Sequence, residues 1–337
     1  VLILGIETTC DETGVAFVRN GNEILANIVI SSADLHAAYG GVFPEHSSRR
    51  HIEALVPALK KAFKQSQVTE KEIDAIAVAN GPGLIGPLLV GAQFAKGLAI
   101  GWNKPLIAVH HVEAHLYAAA FGQWEEVPLP ALGVVLSGGH TLLLKISEIG
   151  HYDPISTTRD DAIGEAFDKV ATLLGLPYPG GPQVERLAQE GKATLPFSPG
   201  SVKHAPLDFS FSGLKTRVLY EVCGQNGTTT KVLTHRQKAD IAASFQEVAF
   251  SDVINKCKTA LTLHECRSLL FGGGVCNNQR LRFLTKQHFP NTPLFFPSPE
   301  LTLDNAAMIA GLASQKKYSQ SIDIPVQTRI HLGIESQ

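Results

Sequence analysis

The stretch Ala131-Leu132-Gly133-Val134-Val135-Leu136-Ser137-Gly138-Gly139-His140-Thr141-Leu142-Leu143-Leu144-Lys145-Ile146 reads as an apolar strand, a glycine turn and a second apolar strand. The same order occurs at the start of the chain. Val1-Leu2-Ile3-Leu4-Gly5-Ile6-Glu7 runs through Thr8-Thr9-Cys10 toward the strand Val15 to Val18, and Ile24 to Ile30 follows the hairpin signal Asn20-Gly21-Asn22. Each meander leads into alternating helices and strands. After the first come a helix over 44–67, with Ile52, Leu55, Val56, Leu59 and Phe63 at helical spacing, and a strand over 75–79 ending at Asn80-Gly81-Pro82-Gly83. A small-residue helix over 86–102 and a strand over 106–109 complete that half. After the second come helices over 160–174, 237–263, 276–288 and 303–316, strands over 268–271 and 294–296, a rigid turn over 177–182 and an irregular segment over 191–236. Only the order of elements repeats, not the residues. The inference is an α/β protein of two related lobes with a cleft between them, each lobe a mixed β-sheet flanked by helices.

Composition supports a large core. The chain has 337 residues, 44% hydrophobic and 18% charged, which is a globular balance. No apolar run reaches bilayer length, so no membrane span is expected. The opening apolar run is too short for a signal peptide and lacks a basic flank, so it reads as a strand. Cys10, Cys223, Cys257, Cys266 and Cys276 are odd in number and form no C-x-x-C pair, which fits reduced thiols in a cytoplasmic protein. A net charge of −2 excludes a globally basic nucleic-acid binder; any such contact must rest on local patches or on a partner.

The last strand of the first half delivers His110-His111-Val112-Glu113-Ala114-His115. His111 and His115, four apart, lie on one helix face and can meet a single ion, at the carboxyl end of a strand where α/β folds place ligands. The spacing alone is equally compatible with helix-surface or core histidines. A zinc peptidase would need H-E-x-x-H, with the glutamate directly after the first histidine. Val112 holds that place, and Glu113 falls about 200° round the helix from His111. A carboxylate from elsewhere should complete a metal site. Asp304, opening the helix after Thr302-Leu303, is available, although an aspartate there is commonly an N-cap.

The turn Ser137-Gly138-Gly139 and the turn Gly272-Gly273-Gly274 between a strand and a helix both offer backbone amides to an anion. Neither is a P-loop or a dinucleotide fingerprint, and each is also compatible with an ordinary turn. Asp11, Glu12, Asp160, Asp161, Glu165 and Asp168 are acidic candidates near the turns. Basic side chains cluster on the helix with Arg49 to Lys64 and on the helix with Arg280, Arg282 and Lys286. Such clusters are solvated faces or phosphate contacts.

Taken together, Gly-Ile-Glu-Thr-Thr-Cys-Asp-Glu-Thr at 5–13, Asn-Gly-Pro-Gly-Leu at 80–84 and His-His-Val-Glu-Ala-His at 110–115 form a recognisable set. Ser-Gly-Gly-His-Thr at 137–141, Gly-Glu-Ala-Phe-Asp-Lys at 164–169, Tyr-Pro-Gly-Gly-Pro at 178–182, Asp-Phe-Ser-Phe-Ser-Gly-Leu-Lys-Thr at 208–216 and Asp-Asn-Ala-Ala-Met-Ile-Ala at 304–310 extend it. In this order they resemble the universal tRNA adenosine threonylcarbamoyltransferase family, in its bacterial form. The resemblance implies the two-lobed actin-like ATPase fold. It implies an acyltransferase that moves threonylcarbamoyl from threonylcarbamoyl-AMP to N6 of adenosine 37 in tRNAs reading codons that begin with A.

Carried over by motif, His111, His115 and Asp304 correspond to ligands of one divalent metal, iron or zinc. Val135, Leu136, Ser137, Gly138, Gly139, Asp168, Gly181 and Asn278 correspond to substrate-binding positions for an adenylate, or for ATP or ADP with magnesium. The resemblance further implies tRNA, a shorter actin-like paralogue and a P-loop ATPase as partners. The helices over 44–67 and 86–102 are candidate partner surfaces. The expected domains are 1–130, 131–303 with an insertion at about 191–236, and a terminal helix and tail over 304–337 returning to the cleft and first lobe. Glu7 stands where actin-like kinases carry a magnesium-associated aspartate, which argues against ordinary phosphoryl transfer. An actin-like small-molecule kinase, a zinc metallopeptidase and a non-catalytic scaffold remain the alternatives.

Overall fold

A computed structural model describes residues 1–32, 44–224, 232–316, 322–329 and 332. The chain divides into two units, Val1–Val127 with Phe296–Gln337, and Pro128–Phe295. Parts of the expected insertion and tail, at 225–231 and at 317–321, 330–331 and 333–337, lie outside the described residues.

The first unit is built on a five-stranded sheet in the order β3-β2-β1-β4-β5, from β1 Leu2–Glu7, β2 Glu12–Arg19, β3 Glu23–Ser31, β4 Ala75–Gly81 and β5 Leu106–His110. β1, β2 and β3 are antiparallel neighbours, whereas β4 and β5 run parallel to β1. Every residue of β1 is buried, as a central strand covered on both faces requires. The turn between β2 and β3 places Asn20 at φ 53° and Gly21 at φ 73°, the left-handed pair that Asn-Gly tolerates.

Helix α1, Pro44–Ser66, lays Leu55, Ala58, Leu59 and Ala62 on this sheet. Ile52 and Val56, expected in the same apolar stripe, are instead 63% and 45% exposed, because the buried stripe is narrower than the sequence pattern. Helix α2, Ile85–Trp102, runs beside α1 and exposes Ile85, Leu89 and Ile100. Helix α3, His111–Ala119, follows β5 directly and is buried along its whole length.

The second unit repeats the order. Strands β6 Ala131–Leu136, β7 Thr141–Glu148, β8 His151–Thr157, β9 Ser268–Gly272 and β10 Leu294–Phe295 form a sheet in the order β10-β9-β6-β7-β8, with β6, β7 and β8 antiparallel and β9 and β10 parallel to β6. Its helices are α4 Ile163–Leu173, α5 Gly180–Ala188, α6 Ser212–Cys223, α7 His235–Leu263 and α8 Gln279–His288. Phe167 of α4 packs on Phe245 and Phe250 of α7, with ring centroids 4.9 and 5.4 Å apart.

Several boundaries differ from the sequence reading, and at α5 and α6 the reason is a cap that comes from a distant residue. The expected rigid turn over 177–182 is the start of α5. The Gly180 and Gly181 amides donate to Asp168 Oδ1 at 2.8 and 3.2 Å, and Pro182 sits in the first turn, where its missing N–H is not needed. The segment over 191–236, read as irregular, contains α6. Asp160 caps it, accepting from the Phe211 and Ser212 amides at 2.8 and 3.2 Å. The helix expected over 160–174 begins only at Ile163, because Asp160 is taken up by the α6 cap and Asp161 by Lys169 and Lys215.

The helix expected over 276–288 is a 3-10 turn, Gly274–Asn277, and then α8, divided by the N-cap Asn278. The strand β8 was absent from the sequence reading; its Pro154 is tolerated at the sheet edge. The helix expected over 303–316 is the shorter α10, Ala306–Ala313, and a separate short α9, Pro299–Thr302, precedes it.

α10 is wholly buried, and its contact with β1 fixes where the preceding residues stand. A Cβ at Gly5 would lie 2.3 Å from the Ala306 carbonyl oxygen and 2.9 Å from Ala310 Cβ. Gly5 is thus no turn residue: its bare Cα lets a helix lie against the central strand. Among the described residues no helix is long and apolar enough to cross a membrane.

Candidate metal centre

His111 and His115 project from the first and second turns of α3, at the carboxyl end of β5. Their rings stand 4.6 Å apart at 79°. Asp304 approaches from the loop between α9 and α10, its Oδ1 3.0 Å from His115 Nε2 and 3.6 Å from His111 Nε2. One ligand atom from each of the three lies within 4.8 Å of the others. Tetrahedral ligation at about 2.0–2.1 Å sets donor atoms about 3.4 Å apart, so a small inward adjustment would close the set on one ion. Asp304 is not an N-cap. Asn305 takes that role in α10, its Oδ1 accepting from the Met308 amide at 3.1 Å, and the Asp304 carboxylate is left to face the histidines.

The sequence reading took Glu7 only as a departure from the actin-like kinases and did not place it beside His111. This carboxylate is fully buried at the end of β1, with Oε2 3.0 Å from His111 Nδ1 and Oε1 accepting from the Thr9 amide at 2.6 Å. It holds the imidazole with Nε2 directed at Asp304, the carboxylate–histidine arrangement that orients metal ligands. The available signal was an acid ending an otherwise apolar buried strand. Glu113, by contrast, turns away from the cluster and pairs with Lys316 at 2.6 Å, so the helix offers no H-E-x-x-H base.

The electrostatics suit a cation. Burial disfavours a charge on His111, but Glu7 and Asp304 outweigh it and raise this imidazole to about 9. Beside it, Glu12 is pushed up to about 9 by burial and by the Asp11 and Asp304 carboxylates. Burial, then Asp11, hold the Cys10 thiol well above its usual range. His115 Nδ1 is buried with no hydrogen-bonding partner among the described residues, an uncommon state. Donor set, charge and orientation all fit one divalent cation with nitrogen and oxygen ligands.

A pH dependence follows. Below about 9 the His111 ring carries a proton that a metal must displace. Metal affinity should therefore rise about tenfold per pH unit from pH 6 toward 9 and level off above it. Calorimetric titration at pH 7 in buffers of different ionisation enthalpy should report about one proton released per ion bound. Glu7→Gln should weaken metal binding about 10- to 100-fold, measured by competition with a chelator, because the ring loses its anionic support.

The expected substrate positions all belong to the second unit. Val135 and Leu136 are buried at the end of β6, and Ser137, Gly138 and Gly139 form the turn into β7. No atom lies within 4 Å of a Cβ built on Gly138, Gly139 or Gly181, so their backbone is open to a ligand. The start of α4 approaches the turn so closely that a Cβ on Gly164 would be 2.7 Å from the Ser137 carbonyl oxygen. The third glycine turn meets the same segment, with Gly273 at φ 93° and its would-be Cβ 2.5 Å from Leu136 O.

Asp168 and Asn278 do not present free side chains to a ligand. Asp168 caps α5, and Asn278 caps α8 through Oδ1 while Nδ2 donates to Gln246 at 2.8 Å. Their contribution here is to aim two helix N-termini. Glu185, which sequence reasoning passed over, joins these helices by accepting from the Gln279 amide at 2.7 Å.

The protein-family model that describes a tRNA N6-adenosine threonylcarbamoyltransferase matches residues 23–311. A curated tRNA N6-adenosine threonylcarbamoyltransferase of Protochlamydia amoebophila is 52% identical over 98% of each chain. One from Chlamydia abortus is 48% identical over 96% of this chain and 93% of its own. Among solved structures, component A of Acidaminococcus fermentans (R)-2-hydroxyglutaryl-CoA dehydratase superposes with a TM-score of 0.54 at 14% identity, over 94% of this chain and 98% of its own. The HypF protein of T. kodakarensis superposes at 0.60 and 14% identity, over 93% of this chain and 47% of its own. At such identity these structures speak to the actin-like fold alone, in which the two repeated sheets belong.

Proposed function

The chain belongs to the tRNA N6-adenosine threonylcarbamoyltransferase family, and we propose how its residues divide the work of that reaction. It is an acyltransferase that modifies tRNA, placing threonylcarbamoyl on N6 of an adenosine. The proposed donor is threonylcarbamoyl-AMP and the proposed acceptor adenosine 37 of tRNAs reading codons that begin with A, in the cytoplasm. The exocyclic amine attacks the carbamoyl carbon. A C–N bond forms, the C–O bond to the phosphate breaks, AMP leaves with the electron pair, and the amine loses a proton. With so good a leaving group the protein must position and stabilise charge more than supply a nucleophile.

In the second unit, the adenylate lies over the unobstructed backbone of Gly138, Gly139 and Gly181, beside the N-termini of α5 and α8 that Asp168 and Asn278 aim. In the first unit, His111, His115 and Asp304 hold one divalent ion, iron or zinc, and Glu7 fixes the His111 ring. Such an ion supplies Lewis acidity toward carbonyl or carboxylate oxygens. The observation that carries the metal assignment is the convergence of three ligand atoms backed by the buried Glu7.

Partner proteins complete the reading: a shorter actin-like paralogue and a P-loop ATPase. The paralogue docks on Ile52 and Val56 of α1 and Ile85 and Leu89 of α2, all exposed. The test is reconstitution with tRNA, threonine, bicarbonate, ATP and these partners, followed by mass analysis of the nucleosides. Threonylcarbamoyladenosine is the expected product, and its absence with active partners would refute the reading.

A further inference from the structure

Helix α8 carries Arg280, Arg282, Phe283, Lys286 and His288 and no acidic residue. Phe283 is 56% exposed, an unusual position for a phenylalanine on a short surface helix. Arg280 does not add free charge. It is clamped by Glu247 of α7 through two bonds of 2.7 and 2.9 Å, and its guanidinium stacks over the Phe283 ring at 5.2 Å. The pair therefore serves to hold the ring in place on the surface.

Beyond it, Lys286 is exposed on α8 and Lys258 is exposed on α7, where its Nζ donates to His288 at 2.9 Å. From residue 248 onward α7 contains a single acid, Asp252, which is buried and bound to Lys256 at 2.6 Å. Along α8 and the part of α7 after residue 248, the surface thus presents two lysines and a propped aromatic ring, with the neighbouring Glu247 carboxylate matched by Arg280, on a protein whose overall charge is −2. A solvated face would normally mix both signs. Segregated positive charge interleaved with an aromatic ring is the chemistry that grips a phosphate backbone and stacks on a base.

We infer that the α7–α8 face binds the tRNA substrate, with Lys258 and Lys286 on phosphates and the Arg280-backed Phe283 ring against an unpaired base or a ribose. This rests on the reading of tRNA as substrate. Asn278 caps the start of α8, so the surface leads away from the proposed adenylate site within the same unit.

The experiment is fluorescence anisotropy of an unmodified tRNA with the full chain and its partner proteins, across a salt series. Lys258→Glu with Lys286→Glu should weaken binding at least tenfold at low salt and flatten the slope of log affinity against log salt by about two. Phe283→Ala should weaken binding about five- to a hundred-fold with the slope unchanged. Lys286→Arg and Phe283→Tyr should keep wild-type binding, and an unchanged circular dichroism spectrum and thermal midpoint in every variant show an intact fold.

Wild-type tRNA affinity in both weakening variants would overturn the assignment. So would loss of a protein partner with tRNA affinity intact, which would make this an acidic-protein surface. Neither result touches product formation by the wild-type enzyme, so failure of this inference is distinguishable from failure of the functional reading.

Discussion

Replacing His111 with alanine should leave the purified protein without stoichiometric metal and lower transfer to tRNA on the order of 10³-fold or more, the loss of several kcal/mol of Lewis-acid stabilisation. The ring contributes one of three converging ligand atoms and is the only one of them seated directly on a buried carboxylate, Glu7. Its removal also strands Glu7 in the core, so some of the loss could reflect a weaker fold. Asp304→Asn separates the two effects. Asp304 is 20% exposed and its neighbour Asn305 keeps the helix cap, so this variant should remain as stable as the parent yet lose metal and activity alike. Metal content by mass spectrometry and nucleoside analysis decide the matter. Full turnover by a metal-free variant would remove the ion from the reaction.

Gly5→Val should destabilise the protein by about 3 kcal/mol or more, at the upper end of overpacking penalties. Gly5 sits in β1 between Ala16 of β2 and Ala77 of β4. Even the first carbon of a side chain would meet the Ala306 carbonyl oxygen at 2.3 Å, and that oxygen is backbone, which cannot swing away. The helix must therefore shift, and Asp304, two residues before it, must shift too. Loss of metal affinity should accompany a thermal midpoint lowered by several degrees. Gly97→Ala in α2 is the control. Nothing lies within 4 Å of its added Cβ, and it should leave stability unchanged or raise it by about 0.4–1 kcal/mol. Equal thermal midpoints for the two variants would refute the steric account.

The meander-then-alternation order was legible because strand and helix periods are local. The central strands β1, β4, β6 and β9 announce themselves as unbroken apolar runs. Long-range caps were not legible. Nothing near residue 212 tells that Asp160 will start a helix there, nor near residue 180 that Asp168 will. The histidine pair could be read from its spacing; Asp304 was an available acid that could equally have been an N-cap, and the family resemblance singled it out as the third ligand. Their placement together depends on a helix lying on a glycine 301 residues away in the chain, Ala306 against Gly5, which no local pattern encodes. Glu7 was weighed only as a departure from a magnesium-associated aspartate, whereas its neighbour in space is His111.

The first unit is closed by the last of its own chain: β1 to α3 come first, and α9 and α10 arrive only after the whole second unit. His115 and Asp304 are separated by 189 residues. At about 5–20 residues per second a ribosome needs roughly 10–40 s to travel between them. Throughout that interval the nascent chain exposes the β1 surface that α10 will cover and carries an imidazole pair lacking its acid. The complete ligand set therefore comes together only after Asp304 has been added, long after the two imidazoles.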